Sequence, residues 1–422
     1  MWDTSSMFRD DIPSRDWYDA CSFVPIDMFN PVLDTMRNSH KIEVRIKVMA
    51  GTGGYPLFCN SAWVTPTWNI VSGDITESLD DEVTRPFNAE IVSDYWTSTN
   101  AILADLSPYK TMIRVERGVY TPYGIVYFPL GVYRLFDVTV KNGRQASISA
   151  YSQEADLRDH RYLTPPGVTS VSMTYESLLN RFGPVLGDIG ATAPGVAWTG
   201  TPMQTTAGKL KIMPRKTTLT TARNRLELVK KLATSVGADF YFNRMNVPII
   251  RAKPAFSDTV QLRINAASND GTPEEPAILT SFDKKYTRSS VYNAVVATAT
   301  DTAGKTTYRG IAYDTSTGPT RWGGPFGKKP RFFASPFLRS NTECIATAQR
   351  LLAESTRLKS SLDFSFIPNP LIEVGDIVEL EYTDGSVEKH IIRSLSISIG
   401  AEGGMSSSTA ADSNTQAEMS VM

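Results

Sequence analysis

The sequence predicts a mainly β protein with a small α/β part embedded in it. Three observations carry that reading. Apolar and polar residues alternate with period two over long stretches, Gly-, Pro- and Asn-Gly-rich breaks separate those stretches, and helical periodicity is confined to a few windows. Period two puts successive side chains on opposite faces, so such runs suit sheets with one covered face.

Residues 1–40 show no sustained period but carry Trp2, Phe8, Trp17, Tyr18, Phe23 and Phe29. Termini fray unless tied down, and large aromatics are costly to leave in water, so an ordered arm docked on a neighbouring surface is expected. At Lys41 the pattern switches. In KIEVRIKV, Ile42, Val44, Ile46 and Val48 alternate with Lys41, Glu43, Arg45 and Lys47, which predicts a strand with one wet face. A glycine-rich turn follows at 51–54. The runs TMIRVERGVY, YGIVYFPLGVYRLFDVTV and RQASISAYS come next, the last two separated by Asn142 and Gly143, a strong hairpin signal. Helix is nearly absent up to about residue 155, so this block reads as an antiparallel barrel or sandwich.

Helical signals come next. Thr174 can cap TYESLLNRFG, with Leu178, Leu179 and Phe182 inward and Gly183 as the stop. A second helix is predicted from near Thr221 to Gly237, with Leu226, Val229, Ala233 and Val236 in a stripe widened by Leu228 and Leu232. DFYFNRMNVPIIRAKP reads as a hairpin turning at Met245 and Asn246. Residues 183–219 are rich in Gly, Pro and Thr and read as loop.

From about 278 the chain is strand-like again, then Gly318–Lys329 forms a Gly/Pro/Trp-rich loop. Ser340-Asn341-Thr342-Glu343 fits a capping box that opens a long helix with Ile345, Ala348, Leu351, Leu352 and Ser355 inward. Two strands around Asp384 and Gly385 close the pattern. In the first, Val378, Leu380 and Tyr382 oppose Glu379 and Glu381; in the second, Leu395, Ile397 and Ile399 oppose serines. Residues 400–422 are Gly, Ser, Ala, Thr and Met and read as a low-complexity tail.

Composition narrows the function. The 422 residues are enough for about two to four domains. Lys and Arg number 43 against 44 Asp and Glu, a net charge of −1, so the chain has no global basic field to hold nucleic acid by its phosphates. Cys21, Cys59 and Cys344 are scattered and suggest no disulfide framework or zinc pattern, which fits synthesis in a reducing compartment. The opening MWDTSSMFRDDIPSRDW lacks the basic and apolar regions of a signal peptide, and mean hydropathy is −0.20, so a protein made in a cytoplasm with no membrane-spanning segment is expected.

Catalytic patterns are thin. His40, His160 and His390 lie far from one another and from any Cys. Gly304-Lys305-Thr306 imitates the end of a phosphate-binding loop, but Ala299 stands where its first glycine belongs, and a hairpin turn explains the stretch. Asp80-Asp81-Glu82 and Asp10-Asp11 could suggest a glycosidase pair. Adjacent strand positions face opposite ways, however, so solvated loop charges are the better reading. RWGGPFGKKPRFF at 321–333 interleaves aromatic and basic residues and reads as a partner-binding loop rather than a base-stacking site.

Three segments carry a family resemblance. They are ITESLDDEVTRPFNAEIVSDY (strand, Arg plus small residues, strand, Asp), LSPYKTMIRVERGVYTPYGIVYFPLGVYRLFDVTV (charged strand, Arg-Gly turn, Pro-Leu-Gly, aromatic strand), and NPLIEVGDIVELEYTDGSVEKHIIRSLSISIGAEGGMSSSTA (Gly-Asp hairpin, Gly-Gly-Met-Ser end). In this order they resemble bacteriophage tail hub proteins, particularly a branch of minor tail proteins from phages of actinobacteria, over roughly residues 41–410. The resemblance implies a non-enzymatic homotrimer in which each chain contributes two tube-type antiparallel β-barrel domains, a pseudo-sixfold ring continuing a hexameric tail tube. Its partners would be the distal tail protein ring, the tape measure protein and a central fibre or spike, with DNA only in transit. On that plan 41–160 is the first barrel, 161–260 a helix–hairpin α/β domain, 261–400 the second barrel with its long helix and 401–422 the tail, while the arm 1–40 lies outside the resemblance and draws no support from it. No catalytic, cofactor or metal residue is implied. Trp2, Phe8, Trp17, Tyr18, Trp322 and Phe326 are the expected interface anchors. Cations lining a bore would retard DNA, so bore-facing strands should hold more Asp and Glu than Lys and Arg. The competing expectations are a hexameric distal ring protein and a cell-wall glycan hydrolase.

Overall fold

The structure is a computed structural model that describes residues 35, 40–49, 63–93, 106–122, 124–141, 144–159, 161, 167–168, 197–199, 217–218, 224–235, 238–254, 258–265, 277–288, 291–300, 306–335, 338, 340–355, 359–382, 386–400 and 404–411. The arm with Trp2, Phe8, Trp17 and Tyr18, the helix expected at Thr174 and the turns at 51–54, 142–143, 301–305 and 383–385 lie outside them.

In chain order the strands of the first half are β1 (Ile42–Met49), β2 (Trp63–Val64), β3 (Asn69–Ser78), β4 (Pro86–Val92), β5 (Met112–Thr121), β6 (Gly124–Lys141) and β7 (Gln145–Tyr151). Then come α1 (Glu154–Asp159), β8 (Gly167–Val168), β9 (Ala197–Thr199), β10 (Thr217–Thr218), α2 (Arg225–Ser235), β11 (Ala238–Phe242) and β12 (Pro248–Ala252). The last part holds β13 (Val260–Asn265), β14 (Ala277–Thr287), β15 (Ala294–Thr300), β16 (Thr306–Tyr313), β17 (Pro330–Ser335), α3 (Asn341–Ser355), β18 (Lys359–Phe366), β19 (Ile377–Glu381), β20 (Val387–Ser398) and β21 (Met405–Ala411). The fold is mainly β, as the alternation predicts.

Thirteen strands join in the order β19-β13-β14-β18-β21-β20-β3-β4-β7-β6-β5-β1-β2, and β19 also pairs with β20. The second pairing closes β13, β14, β18, β21, β20 and β19 into a ring. The other seven strands extend from it through the β20–β3 pair. β6 serves two neighbours: its residues up to Arg134 pair with β5, and those from Arg134 onward with β7. The break in β5–β6 register falls beside Gly131, whose φ of 146° suits a residue without Cβ. Arg117 and Gly118, expected in a turn, instead sit inside β5. One buried cluster joins both regions: Ile75, Phe87, Ile91, Ile113, Val115 and Ile148 pack in the same core as Leu362, Phe364, Val378, Leu380, Leu395 and Ile397.

The segment read as a second barrel is interrupted. Between β14 and β18, which pair antiparallel, the chain detours into a separate sheet, β16-β15-β17, covered on one face by α3. The Ser340 hydroxyl accepts from the Glu343 N–H at 3.1 Å, so the expected cap is formed. Cys344, Ala348, Leu351 and Ser355 are buried, but Ile345, expected inward, is 41 % exposed. Gly310 explains the shift. A Cβ there would stand inside contact distance of the Cys344 and Ile345 backbone, so the helix lies directly on β16 at this point and Cys344 takes the inner position.

Residues 405–411, read as part of a low-complexity tail, form β21, held between β18 and β20. Its inward residues are Met405, Ser407 and Thr409, and the two hydroxyl side chains leave no apolar alternation to read. In the α/β part, Asn224 caps α2 by accepting from the Glu227 N–H at 3.2 Å, and Leu226, Leu228, Val229 and Ala233 are buried. The β11–β12 hairpin turns at Asn243–Val247 as expected, with Asn246 at φ 64° and the Asn243 side chain accepting from the N–H groups of Met245 and Val247.

Candidate functional site

Directly paired strand residues share a face, so the registers reveal what the large sheet presents opposite its core. Ser281, Ser365, Ser406, Ser396 and Thr76 form one row across β14, β18, β21, β20 and β3. A parallel row runs Asp283, Asp363, Ser408, Ser394 and Ser78. Beyond the β20–β3 pair the pattern continues through Ser398, Asp74, Asn88, Ser149 and Asp137, and through Ser72, Glu90, Ser147 and Thr139. Two shallow hollows on this face are lined almost wholly by these residues.

The face is hydroxyl-rich and net acidic. Its carboxylates are Asp74, Glu90, Asp137, Asp283 and Asp363; against these the registers place three lysines, Lys141, Lys285 and Lys359, near the ends of their strands. Lys141 donates to Glu90 at 3.1 Å, and Arg134 at the bend of β6 donates to Asp156 at 2.6 Å. Hydroxyls bond the neighbouring carboxylate and amide oxygens: Ser147 donates to the Glu90 carboxylate and Ser149 to the Asn88 amide oxygen, each at 2.5 Å. The Ser147 bond, with Lys141 second, holds the Glu90 carboxyl below the usual range, so it stays charged at neutral pH. Chemically, the face can repel an anion and hydrate its surroundings. Short side chains give a sliding polymer little to grip.

A buried ionic junction fastens the helix–hairpin unit to this sheet. Glu77 on β3 accepts from Arg244 Nε at 2.8 Å and lies 3.3 Å from Arg85 Nε. Glu373, in the loop before β19, lies 3.5 Å from Arg244 and 3.8 Å from Arg85. The remaining Arg244 nitrogens donate to the carbonyls of Pro370 and Ile372, and Arg85 donates to the carbonyl of Phe242. Glu154 of α1 accepts from the N–H groups of Thr84 at 2.5 Å and Phe242 at 3.0 Å. Burial opposes the charge on Glu77, but Arg244 and Arg85 outweigh it and keep its carboxyl below the ordinary value; at Glu373 burial wins and the value rises. The junction gathers Glu77 and Arg85 from the first of the three segments and Glu373 from the third, where Asp376 accepts from the Glu373 N–H at 2.9 Å.

Other expected residues fall as follows. Trp322 and Phe326 are half-buried in the loop after β16; Trp322 leans on Tyr313 with ring centroids 5.6 Å apart, and Arg288 lies over Phe326 at 5.1 Å. Asp81 and Glu82 offer backbone carbonyls to Lys230 of α2, Glu82 accepts from Asn224, and Asp80 lies 3.7 Å from Arg393. The Glu82 side chain and the two backbone carbonyls therefore help seat the helix, while the Asp80 carboxylate faces β20. Among the described residues no group of three or more His, Cys, Asp and Glu is placed to hold a metal, and no helix is long and apolar enough to cross a membrane. The serine rows and the junction were not legible from sequence, because both depend on register across distant strands.

No protein-family model and no curated protein sequence matches the chain. Solved structures do. A tail protein from Neisseria meningitidis MC58 superposes with a TM-score of 0.57 at 12 % identity, covering 88 % of this chain and 98 % of that one. The 43 kDa tail protein of prophage MuSo2 from Shewanella oneidensis gives 0.54 at 12 %, with 88 % and 99 % covered. Prophage tail protein gp18 from Listeria monocytogenes EGD-e gives 0.52 at 12 %, with 89 % and 98 % covered. The chain thus has the fold of these tail proteins over most of its length.

Proposed function

We propose that this chain is a structural tail hub protein of a bacteriophage virion, of the minor tail protein branch its three segments resemble. It forms a trimeric ring at the tail tip that adapts the sixfold tube to a threefold fibre or spike and closes the DNA channel. The observation that carries the reading is the hydroxyl and carboxylate face, which crosses from the closed ring of strands into the first-half sheet without interruption. In a ring it would serve as the bore wall, since DNA slides best past a surface that neither binds phosphate nor offers long side chains. The shared fold with tail proteins supports the reading. The distal tail ring, the tape measure protein and the fibre or spike would be its neighbours, and its role would be non-enzymatic. Native mass spectrometry tests the assembly: three copies are expected, six would favour a distal ring protein, and a monodisperse monomer would contradict a hub. Release of wall fragments from host peptidoglycan, lost on Asp80→Asn, Asp81→Asn and Glu82→Gln together, would favour a hydrolase instead.

A further inference from the structure

The sheet β16-β15-β17 buries one face under α3; on its other face the central-strand Ala294 and Val296 are buried, while Tyr313, Phe332 and Arg309 of the flanking strands are exposed. Tyr313, Ala294 and Pro330 form one row of that outer face, Ile311, Val296 and Phe332 the next, and Arg309, Thr298 and Ala334 the third. Phe332 is 76 % exposed and Tyr313 48 %, an unusual outlay of aromatic surface for so small a unit. The rim is cationic: Arg288, Arg309, Arg321 and Lys328 are exposed, and Lys328 stands 5.8 Å over the Trp322 ring. The loop's one carboxylate, Asp314, is turned inward, accepting from the Ser316 N–H at 2.9 Å and the Thr320 hydroxyl at 2.6 Å.

An aromatic face inside a cationic rim is complementary to a segment rich in aromatics and carboxylates. The chain supplies one. Residues 1–30 carry Trp2, Phe8, Trp17 and Tyr18 together with Asp3, Asp10, Asp11, Asp16, Asp19 and Asp27, against Arg9 and Arg15. We propose that this N-terminal segment docks on the outer face of the β16-β15-β17 sheet, its aromatics on Phe332, Tyr313 and Trp322 and its aspartates on the rim. Extended chain spans about 3.3 Å per residue, so thirty residues can cover up to about 100 Å, on the same copy or towards a neighbouring one. The proposal concerns two parts of one chain and is independent of the ring the chain builds.

The test places the photocrosslinker p-benzoylphenylalanine at position 332 of the full-length protein. Cross-links are expected within residues 1–30. Arg309→Glu with Lys328→Glu, both at exposed positions, should lower their yield roughly tenfold, and adding Asp10→Lys with Asp11→Lys should restore it. Circular dichroism confirms that each variant is folded. Cross-links only outside residues 1–30, or a yield indifferent to the charge reversals, would overturn the proposal. So would binding of a fluorescein-labelled single-stranded oligonucleotide that the two reversals abolish, because the face would then be a nucleic-acid site.

Discussion

Arg244 donates from Nε to Oε1 of Glu77 at 2.8 Å across 167 positions of sequence, and neither side chain is more than 1 % exposed. This bond ties the tip of the β11–β12 hairpin to β3 and, through the carbonyls of Pro370 and Ile372, to the loop that leads into β19. One guanidinium therefore fixes the helix–hairpin unit against both parts of the large sheet.

Removing it should be costly. Arg244→Met leaves Glu77 and Glu373 buried with Arg85 alone, and an uncompensated buried charge costs about 3–5 kcal/mol. Urea denaturation should register that loss, and a loss below about 1 kcal/mol would refute the role given to the junction.

Acid should weaken the closed ring through Glu388. His390 at 3.3 Å is the largest influence on its carboxyl, followed against the cost of burial by Lys284 at 2.6 Å and Tyr382 at 2.8 Å, and together they lower its pKa from 4.5 to about 2. The folded value lies below the unfolded one, so the stabilisation is present above 4.5 and disappears as pH falls towards 2. Glu388→Gln should lose about 1–2 kcal/mol at neutral pH and show a flatter acid limb than the parent in denaturation midpoints.

Gly310→Ala should strain the inserted unit, because the added methyl meets the backbone of Cys344 and Ile345 rather than a movable side chain. A cost of about 1–3 kcal/mol is expected. Hydrogen exchange should localise the loss of protection to β15, β16 and α3 while the β3–β4–β7 strands stay protected. Uniform protection throughout would contradict the close packing of helix on strand.

Cations placed on the serine rows should leave the fold intact and change what it tolerates nearby. Ser365→Lys with Ser396→Lys lies on the face away from the core, where substitutions usually cost within about 0.5 kcal/mol. Particles carrying it should assemble normally and eject DNA more slowly. Isolated protein should gain salt-dependent DNA binding with a slope of about 0.9 per phosphate engaged. Unchanged ejection would argue that this face does not meet DNA.

Local physics made much of the fold legible. The β19 and β20 patterns predict Val378, Leu380, Leu395 and Ile397 as core, and all four are buried. The capping box at Ser340 and the turn at Asn246 are equally local. Where the sequence was silent, the cause was distance along the chain. β21 reads as tail because its pairing with β18 and β20, not its own side chains, makes it a strand. Arg85 and Arg244 look like ordinary surface charges until Glu77 and Glu373 are brought to them from other segments. The row from Ser281 to Thr76 draws one residue from each of five strands, so no window of sequence contains it.

A cryo-EM reconstruction of the assembled tail tip tests the central claim most directly. The hub reading predicts threefold symmetry, with Asp74, Glu90, Asp137, Asp283 and Asp363 directed at the bore and interfaces of well over ~2,000 Å² between chains. A ring of six identical chains, or a bore lined by Lys and Arg with the serine rows facing outward, would contradict it.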